Sequence, residues 1–378
     1  MADKVICLCV IGTRPEVIKM APVIERLAAS DWARPLVVSI GQHVELLDRA
    51  VADFGLSIDH RVTIDRRRGS ILEVASQAMD QLDEFLDGAG AGCVVAQGDT
   101  TTVMAAAMVA FYRRLPFVHV EAGLRTGDLS APFPEEFNRR VAAIGASLHC
   151  APTEQAAQAL RAEGVAEAAI VQSGNTVIDA LLAMKARKPA LPGDFPAVPR
   201  PILVTAHRRE SFGPQIEEAF GALREAVDRY ADIGLYFPVH PNPNIRAVAQ
   251  RILGGHERIV LTEPLAYAQL VAALGACWAV VTDSGGLQEE APALGKPVLV
   301  LRDVTERPEA IASGAVRLVG TDRARILDAL DLLHESADAY AQMARPVFPY
   351  GDGHAANRIV EAMRRSFGPV SPVAGIQE

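Results

Sequence analysis

The sequence predicts an α/β fold with two doubly wound parallel sheets, each covered by helices on both faces. Short apolar segments alternate with amphipathic ones, a proline-rich stretch at residues 188–201 interrupts the alternation, and 378 residues exceed a single hydrophobic core. The expected domains are residues 1–187, joined by a C-terminal helix at 352–378, and residues 200–351. Ligands bind outside the carboxyl ends of strands in such sheets, so we expect the domains to face each other across a cleft.

Each predicted strand is a short apolar run bounded by polar or turn residues, and each predicted helix carries apolar residues at helical spacing. In the first domain the predicted strands are Val5–Ile11, Leu36–Ile40, Cys93–Ala96, Phe117–Val120, Leu148–Ala151 and Ile170–Val171. The predicted helices there are Pro15–Ala29, one from His43, Ser70–Phe85, Thr101–Tyr112, one from Thr153 and one from Thr176. In the second domain the predicted strands are Ile202–Thr205, Leu235–Pro238, Ile259–Leu261, Ala279–Val281, Val298–Leu301 and Val316–Val319. This alternation is typical of parallel sheets.

The amino-acid composition argues against some classes of binding partner. Half of the residues are hydrophobic, 22% are charged and the net charge is -9. An acidic protein is a poor partner for nucleic acid or an anionic membrane surface. The apolar runs are too short or interrupted to cross a bilayer, and Val5–Ile11 leads into Gly12-Thr13-Arg14-Pro15 rather than a small-residue cleavage site. We expect a cytoplasmic protein without a signal peptide.

Five cysteines, Cys7, Cys9, Cys93, Cys150 and Cys277, lie in or beside apolar strand-like runs. Cysteine in such runs acts as a small apolar residue, which suits a reducing compartment. Cys7 and Cys9 share one strand face, but no second pair with zinc-site spacing follows. We expect no metal site.

The segment Thr282–Glu290 is the strongest candidate for a ligand site. It follows a buried strand and starts a helix, with Ser284 placed to cap that helix and two glycines after it that allow a ligand to approach closely. Helix N-termini bind anions, most often phosphate. Glu289 and Glu290, one turn further, are placed to accept hydrogen bonds from ribose hydroxyls. The segment predicts a nucleotide site, with an ordinary strand-to-helix turn as the alternative.

Polar residues follow other first-domain strands at the same sheet edge. Arg14 and Lys19 lie near the N-terminus of a helix, where the helix dipole disfavours positive charge. Either an anion binds beside these two side chains, or they are surface cations solvated by water. Asp99 either caps its helix or belongs to a site. Glu121 directly ends a strand and Glu135 starts the next helix after a long polar loop, an arrangement that favours a functional role.

In the second domain, His207 follows the first strand and His240 follows the second. Arg307 lies in the polar loop after the strand that follows the nucleotide segment. Because these strand ends meet at one edge of the sheet, the pattern favours a phosphate and base site over purely structural histidines.

These segments together resemble the non-hydrolysing UDP-N-acetylglucosamine 2-epimerases, which have a GT-B glycosyltransferase fold with two Rossmann-like domains. The resemblance covers almost the whole chain through the ordered motifs Gly12-Thr13-Arg14-Pro15-Glu16, Gly98-Asp99-Thr100, His119-Val120-Glu121-Ala122-Gly123-Leu124-Arg125, Pro134-Glu135-Glu136, His207-Arg208-Arg209-Glu210, His240-Pro241-Asn242-Pro243-Asn244 and Ser284-Gly285-Gly286. It implies reversible inversion at C2 of UDP-GlcNAc to UDP-ManNAc, a precursor of bacterial surface polysaccharides. No redox cofactor is expected, because no Gly-x-Gly-x-x-Gly follows the first strand.

The resemblance also implies residue roles for elimination of UDP to a 2-acetamidoglucal and its re-addition. Asp99, Glu121 and Glu135 match the acids that transfer protons at C2. His207 matches the catalytic histidine, and Arg14 and Lys19 match residues that steady the leaving diphosphate. The predicted UDP-binding residues are Arg14, His240, Ser284, Gly285, Gly286, Glu290 and Arg307.

Members of the family are often homodimers, and several bacterial ones are activated by UDP-GlcNAc bound beside the active site. The residues that match this second site are Gln42, Glu136, Arg208 and His240. Glu45 stands where the activator pattern has a second amide, and the matching arginine before Ser70 is one of Arg66, Arg67 and Arg68.

Other functions fit parts of the pattern. A hydrolysing relative would release free ManNAc and UDP, and other relatives act on UDP-diacetamido-uronic acids; both differ from this chain in the Thr13-Arg14-Pro15-Glu16 motif. A GT-B glycosyltransferase would share the nucleotide loop but would not need three acids in first-domain loops. A nucleotide-sugar sensor would bind without turnover, and the presence of all three acids argues against it.

Overall fold

The computed structural model describes residues 4–41, 44–65, 67, 69–207 and 213–368. The chain forms two compact units: residues 1–180 with 351–378 (unit 1), and residues 181–350 (unit 2). It passes between them within the helix Thr176–Ala186 and again between Tyr350 and Gly351. The sequence analysis places the domain boundary at residues 187–200, which is after this first crossing. The crossing occurs inside a helix, and the proline-rich residues 188–199 that follow it form neither helix nor strand.

Unit 1 contains a seven-stranded parallel sheet in the order β3-β2-β1-β4-β5-β6-β7. Its strands are β1 Val5–Ile11, β2 Ala33–Gly41, β3 His60–Thr63, β4 Ala91–Gln97, β5 Phe117–Val120, β6 Leu148–Ala151 and β7 Ile170–Gln172. Its first helices are α1 Arg14–Ala28, α2 Val44–Phe54, α3 Ile71–Ala89, α4 Thr101–Tyr112, α5 Glu135–Gly145, α6 Glu154–Ala162 and α7 Thr176–Ala186.

Unit 2 contains a six-stranded parallel sheet in the order β10-β9-β8-β11-β12-β13. Its strands are β8 Arg200–Thr205, β9 Ile233–Pro238, β10 Ile259–Thr262, β11 Ala279–Thr282, β12 Val298–Val300 and β13 Val316–Leu318. Its helices are α8 Pro214–Arg229, α9 Pro243–Leu253, α10 Tyr267–Ala276, α11 Gly285–Ala293, α12 Pro308–Ala312, α13 Arg323–Glu335 and α14 Ala337–Met343.

The last helix, α15 (Ala355–Phe367), returns to unit 1, where it contacts α1 and β7. Its apolar residues Ile359, Val360 and Met363 lie in the same core as Val17. The carboxylate of Asp179, in α7, accepts hydrogen bonds from the first two backbone N–H groups of α15 at 3.1 and 2.9 Å. A carboxylate at a helix N-terminus satisfies N–H groups that have no partner within the helix.

The central strands are apolar on both faces, which is why the sequence predicts them well. β1 is buried from Cys7 to Ile11, and helices cover both sides of its sheet. The edge strand β3 is absent from the sequence prediction because only Val62 of its four residues is buried. All five cysteines are buried thiols without disulfides.

Each sheet has one point at which the strand order reverses, between β1 and β4 in unit 1 and between β8 and β11 in unit 2. The prediction of two doubly wound parallel sheets is confirmed. Among the described helices, none is both long enough and apolar enough to cross a lipid bilayer. Loops at a reversal point diverge to opposite faces of the sheet and leave a crevice, which is where such folds bind ligands.

Candidate active site

In unit 1, the carboxylate of Glu16 joins the two loops at the reversal point. It accepts hydrogen bonds from the backbone N–H groups of Gly12 and Thr13, after β1, and from the Thr100 hydroxyl, after β4, at 2.6 Å. The Thr13 side chain in turn accepts from the backbone N–H of Glu16, which completes a capping box at the start of α1. Burial raises the pKa of Glu16 to about 7, although the hydrogen bonds from Thr100, Gly12 and Thr13 oppose the rise.

Glu121, directly after β5, forms a buried ion pair with Lys19 of α1. The Lys19 Nζ lies 2.7 and 2.6 Å from the two carboxylate oxygens. The amides of Gln97 and Asn175 also donate to this carboxylate, the latter at 3.2 Å. Glu121 has φ +62°, in the left-handed region that residues other than glycine rarely adopt. Because the ion pair between Lys19 and Glu121 is buried, the alternative that Lys19 is a solvated surface cation is wrong.

Asp99, after β4, forms an ion pair with Arg139 of α5. The backbone carbonyl of Asp99 accepts a hydrogen bond from Asn138 at 3.0 Å. Thr100, rather than Asp99, caps α4 by accepting from Val103. The capping alternative for Asp99 is therefore wrong, because its neighbour fills that position and leaves its carboxylate to face α5.

His119 forms a hydrogen bond with the loop that carries Asp99. Its Nε2 lies 2.7 Å from the carbonyl oxygen of Gly98, and its side chain is fully buried. Burial lowers the pKa of His119 to about 4, so near neutral pH the ring is uncharged and its Nε2–H donates to Gly98. The ring thus holds the loop in place without adding charge next to Asp99.

Glu136 lies inside unit 1, with all of its side chain buried. It accepts from the backbone of Thr126 at 3.1 Å and from Arg139 and Arg140 at 3.3 and 3.1 Å. Burial alone would raise the pKa of Glu136, but the hydrogen bonds from Thr126 and Arg140, with the charge of Arg139, hold it below its usual value. Arg139 thus connects Glu136 to Asp99.

Two further predicted residues of unit 1 are only partly buried. Arg14 is the first residue of α1, and Glu135 is the first residue of α5. Within the described part of the chain, no hydrogen bond or ion pair involves the Glu135 carboxylate. A carboxylate in the first turn of a helix is favoured by the helix dipole.

In unit 2, His207 and Asp283 meet at the reversal point. The backbone N–H of His207 donates to Asp283 at 2.7 Å. The ring Nδ1 of His207 lies 2.9 Å from the other carboxylate oxygen, within ion-pair distance although not at a hydrogen-bond angle. The ring of His240, after β9, stacks on that of His207 with centroids 6.0 Å apart. Partial burial, and then the neighbouring His207, lower the pKa of His240.

The loop between β11 and α11 differs from the prediction in one respect. Ser284 lies at the N-cap position of α11, but within the described residues its hydroxyl accepts no hydrogen bond from the first turn. The prediction that its side chain caps the helix is therefore wrong. The backbone N–H of Ser284 donates to the Thr282 hydroxyl at 2.9 Å. The first N–H groups of a helix have no partner within the helix, so those of Gly285 and Gly286 are the donors that an anion at this end of α11 would use.

The acids of α11 are engaged by neighbouring side chains. Glu289 is buried and forms an ion pair with Arg307 at 2.6 Å. Glu290 accepts a hydrogen bond from the Tyr267 hydroxyl at 2.7 Å through one of its two oxygens. These contacts fix Arg307 and Glu290 beside the start of α11.

The predictions at Gln42, His43, Arg66, Arg68 and Arg208 lie outside the described residues, as does the side chain of Glu45. In the ranges that are described, no three His, Cys, Asp or Glu side chains are grouped as metal ligands.

Comparison with known proteins identifies the family. The family model for UDP-N-acetylglucosamine 2-epimerase matches residues 25–364. The epimerase of Escherichia coli K12 is 43% identical over 369 residues, covering 95% of this chain and 98% of that protein. The chain belongs to the UDP-N-acetylglucosamine 2-epimerase family. The resemblance inferred from the sequence motifs, and the prediction of an isomerase, are confirmed.

Solved structures of 2-epimerases agree in fold. The enzyme from Neisseria meningitidis bound to UDP-GlcNAc superposes with a TM-score of 0.90 at 39% identity, covering 95% of this chain and all of that one. The enzyme from Methanocaldococcus jannaschii in complex with UDP-GlcNAc and UDP gives 0.81 at 29% identity, covering 95% and 99%. The prediction of a GT-B-like α/β fold is confirmed.

The sequence prediction omits Gln97, Arg139 and Asn175, which contact predicted site residues of this 2-epimerase family member. Glu16 and Asp283 lie in segments that the sequence analysis singled out, but it gave them no role. Asn175 follows a strand of a parallel sheet, which is the signal that could have indicated it. Arg139 lies inside a helix, where the sequence gives no sign of its partner.

Proposed function

We propose that this protein interconverts UDP-GlcNAc and UDP-ManNAc by reversible inversion at C2 of the sugar. The observation that carries the proposal is the pair of carboxylates after β4 and β5, Asp99 and Glu121, each facing a mostly buried cation. Relatives 43% and 39% identical over almost the whole chain bear the epimerase name, and the structure from Neisseria meningitidis holds UDP-GlcNAc.

The chemistry follows from the weak acidity of the C2 proton, which is not adjacent to a carbonyl group. A carboxylate takes this proton, the C–H electron pair forms a double bond between C1 and C2, and the UDP oxygen leaves C1 with its bonding pair. The products are 2-acetamidoglucal and UDP. Addition of UDP to C1, with a proton delivered to the opposite face of C2, gives the epimer. The sugar is neither oxidised nor reduced overall, so the route needs no redox cofactor.

In unit 1, we assign proton transfer at C2 to Asp99, Glu121 and Glu135. Proton return to the opposite face requires more than one acid–base group, and the loops after β4 and β5 and the start of α5 supply them. The ion pair with Lys19 favours the carboxylate form of Glu121, as a base requires. Arg14 supplies positive charge for the leaving diphosphate, a role that the resemblance also gave to Lys19, which here pairs with Glu121.

In unit 2, we assign UDP binding to the start of α11 and the side chains around it. Gly285 and Gly286 offer backbone N–H groups to a phosphate, and Ser284, whose backbone N–H donates to Thr282, offers its hydroxyl. Glu290, whose carboxylate is positioned by the Tyr267 hydroxyl, is assigned to a ribose hydroxyl. The remaining residues assigned to this site are His207, His240 and Arg307. His207, which is positioned by Asp283, acts as the acid or electrostatic partner of the diphosphate.

The test is proton NMR of the purified protein with UDP-GlcNAc in deuterated water. Formation of UDP-ManNAc, with deuterium at C2 of both epimers, supports epimerisation by loss of the C2 proton. Glu121→Gln and Asp99→Asn should each reduce the rate by about 10²- to 10⁴-fold. Asp83→Asn is a matched control, because Asp83 also pairs with an arginine, Arg113, but lies exposed on α3.

Two outcomes would contradict the proposal. Free ManNAc with an equal amount of UDP would mean a hydrolysing enzyme. Unchanged substrate would favour a glycosyltransferase or a nucleotide-sugar sensor instead.

The remaining expectations are part of the same proposal. We propose a cytoplasmic homodimer that supplies surface polysaccharide precursors, and light scattering of the purified protein tests the dimer. A second UDP-GlcNAc site at Gln42, Glu136, Arg208 and His240 would make initial rates sigmoidal in substrate concentration. Hyperbolic rates would argue against activation by substrate.

A further inference from the structure

The side chain of Asn175 contacts the carboxylate of Glu121 from the loop that follows β7. Its Nδ2 donates to Oε1 of Glu121 at 3.2 Å, and both residues are buried. Gln97 donates to the other oxygen, Oε2. We propose that Asn175 is a positioning residue, which fixes the plane of the Glu121 carboxylate for proton transfer; the inference rests on the role assigned to Glu121 above.

The orientation of the Asn175 amide is determined by its other contact. Its Oδ1 accepts a hydrogen bond from the backbone N–H of Val177, in the first turn of α7, at 3.1 Å. Reversing the amide would place an NH2 group against that N–H and an oxygen against the Glu121 carboxylate. Both contacts therefore require Nδ2 to face Glu121.

The backbone of Asn175 is confined by the segment that returns from unit 2. Gly351 has φ +135°, and a Cβ added there would lie 3.2 Å from the nitrogen of Asn175 and 3.6 Å from its carbonyl oxygen. Arg358 of α15 donates to the carbonyl of Ser173 at 3.1 Å. The loop 173–175 is therefore held by contacts other than those with Glu121.

Glu121 requires such support because of its own backbone. Its left-handed conformation is rarely stable without constraints from its surroundings. The long flexible side chain of Lys19 can follow the carboxylate as it moves, whereas the short amide of Asn175 cannot. Asn175 therefore restrains the carboxylate at Oε1, while Gln97 contacts Oε2.

Asn175→Asp separates positioning from the capping of α7. The aspartate keeps an acceptor for the Val177 N–H but replaces the donor to Glu121 with a like charge. We expect kcat for UDP-GlcNAc epimerisation to fall about 10- to 100-fold with KM changed less than about threefold. The limb of the pH profile set by Glu121 should move up by about one pH unit, since a like charge raises a carboxylate's proton affinity. Asn357→Asp, the same substitution at an exposed position of α15, should change neither quantity.

Gly351→Ala is a second variant, in case the first does not fold. It alters no group that touches Glu121, and its methyl group should displace Asn175, with a smaller loss of kcat of about 3- to 10-fold and the same direction of pH shift.

A direct readout does not require turnover. Carbon-13 NMR of protein labelled at the glutamate carboxyl carbons, assigned with Glu121→Gln, follows the titration of Glu121. In Asn175→Asp the titration midpoint should rise by about one pH unit or more, even if the wild type proves not to epimerise UDP-GlcNAc. An unchanged midpoint would overturn the positioning role, and so would an active wild type whose kcat and pH profile survive the substitution. An inactive wild type with a raised midpoint would instead overturn the proposed function alone.

Discussion

Replacing Lys19 with methionine removes the charge that faces Glu121 but keeps most of the side-chain volume. The two side chains are 13% and 5% exposed, so water compensates little for the lost partner. Removing one partner of a buried ion pair costs about 3–5 kcal/mol. The amides of Gln97 and Asn175 still donate to Glu121, so we expect the folded state of unit 1 to lose roughly 2–3 kcal/mol.

Thermal unfolding followed by tryptophan fluorescence measures this loss. The chain has two tryptophans, of which Trp32 is buried in the core of unit 1. A Trp278→Phe background leaves Trp32 as the reporter of unit 1, which matters because two units need not unfold together. A change of 1 kcal/mol shifts the midpoint of a domain this size by about 2–4 °C, so Lys19→Met should melt roughly 4–12 °C lower.

A double-mutant cycle distinguishes the ion pair from general damage to α1. Glu121→Gln alone removes the charge that needs compensation, so the combined Lys19→Met and Glu121→Gln variant should lose at least about 1 kcal/mol less than the sum of the single variants. Additive losses would refute the reasoning, as would a Lys19→Met protein that melts within about 2 °C of the parent.

Three further predictions concern other parts of the molecule. Asp283→Asn removes the charge beside His207 and should lower kcat for epimerisation about 2- to 5-fold with little change in KM, because the ring is partly exposed and such a pair is worth up to about 1 kcal/mol; unchanged steady-state rates would argue against it. The pKa of His119 is about 4 in the folded protein and 6.5 in the unfolded chain. The uncharged ring therefore makes its full contribution to the stability of the folded state above pH 6.5, and about 3 kcal/mol of that stability is lost as the pH falls from 6.5 to 4. The urea concentration at the midpoint of unfolding, measured between pH 6.5 and 4, should therefore fall less in His119→Asn than in the wild type. Midpoints that fall equally with pH in the two proteins would contradict the assignment. Gly123→Ala places a Cβ 2.3 Å from the carbonyl oxygen of Ala156 at φ +91° and should destabilise unit 1 by about 2–4 kcal/mol, which the Trp32 melt would detect as a lower midpoint.

The fold was predictable because the buried strands are long enough and apolar enough to be seen without tertiary information. The last five residues of both β1 and β4 are buried, and their sequences show it. β3 was missed since half-exposed edge strands have a mixed pattern, and its pairing with β2 depends on the rest of the sheet. The passage of the chain through α7 was also not visible, because a helix that crosses between units has the same periodicity as one that does not.

The candidate site was predictable only as a set of residues that follow strands. Glu121, Asp99 and His207 were proposed in this way, because parallel strands end at the same edge. Their partners were not found, since Arg139 and Asn175 are brought to them by the order of strands in the sheet, which the sequence does not state. Local capping patterns also misled the prediction, as Thr100 and Asp99 are both good N-cap residues and only the structure shows which one caps α4.

The return of α15 to unit 1 affects how the protein is completed during translation. Unit 2 has all of its residues once Tyr350 has been made, but the core around Val17 still lacks Ile359, Val360 and Met363. The unit whose synthesis begins first is therefore the last to close over its apolar core. A ribosome that stops between Tyr350 and Ile359 would release a chain with unit 2 complete and an open core in the unit that carries Glu121.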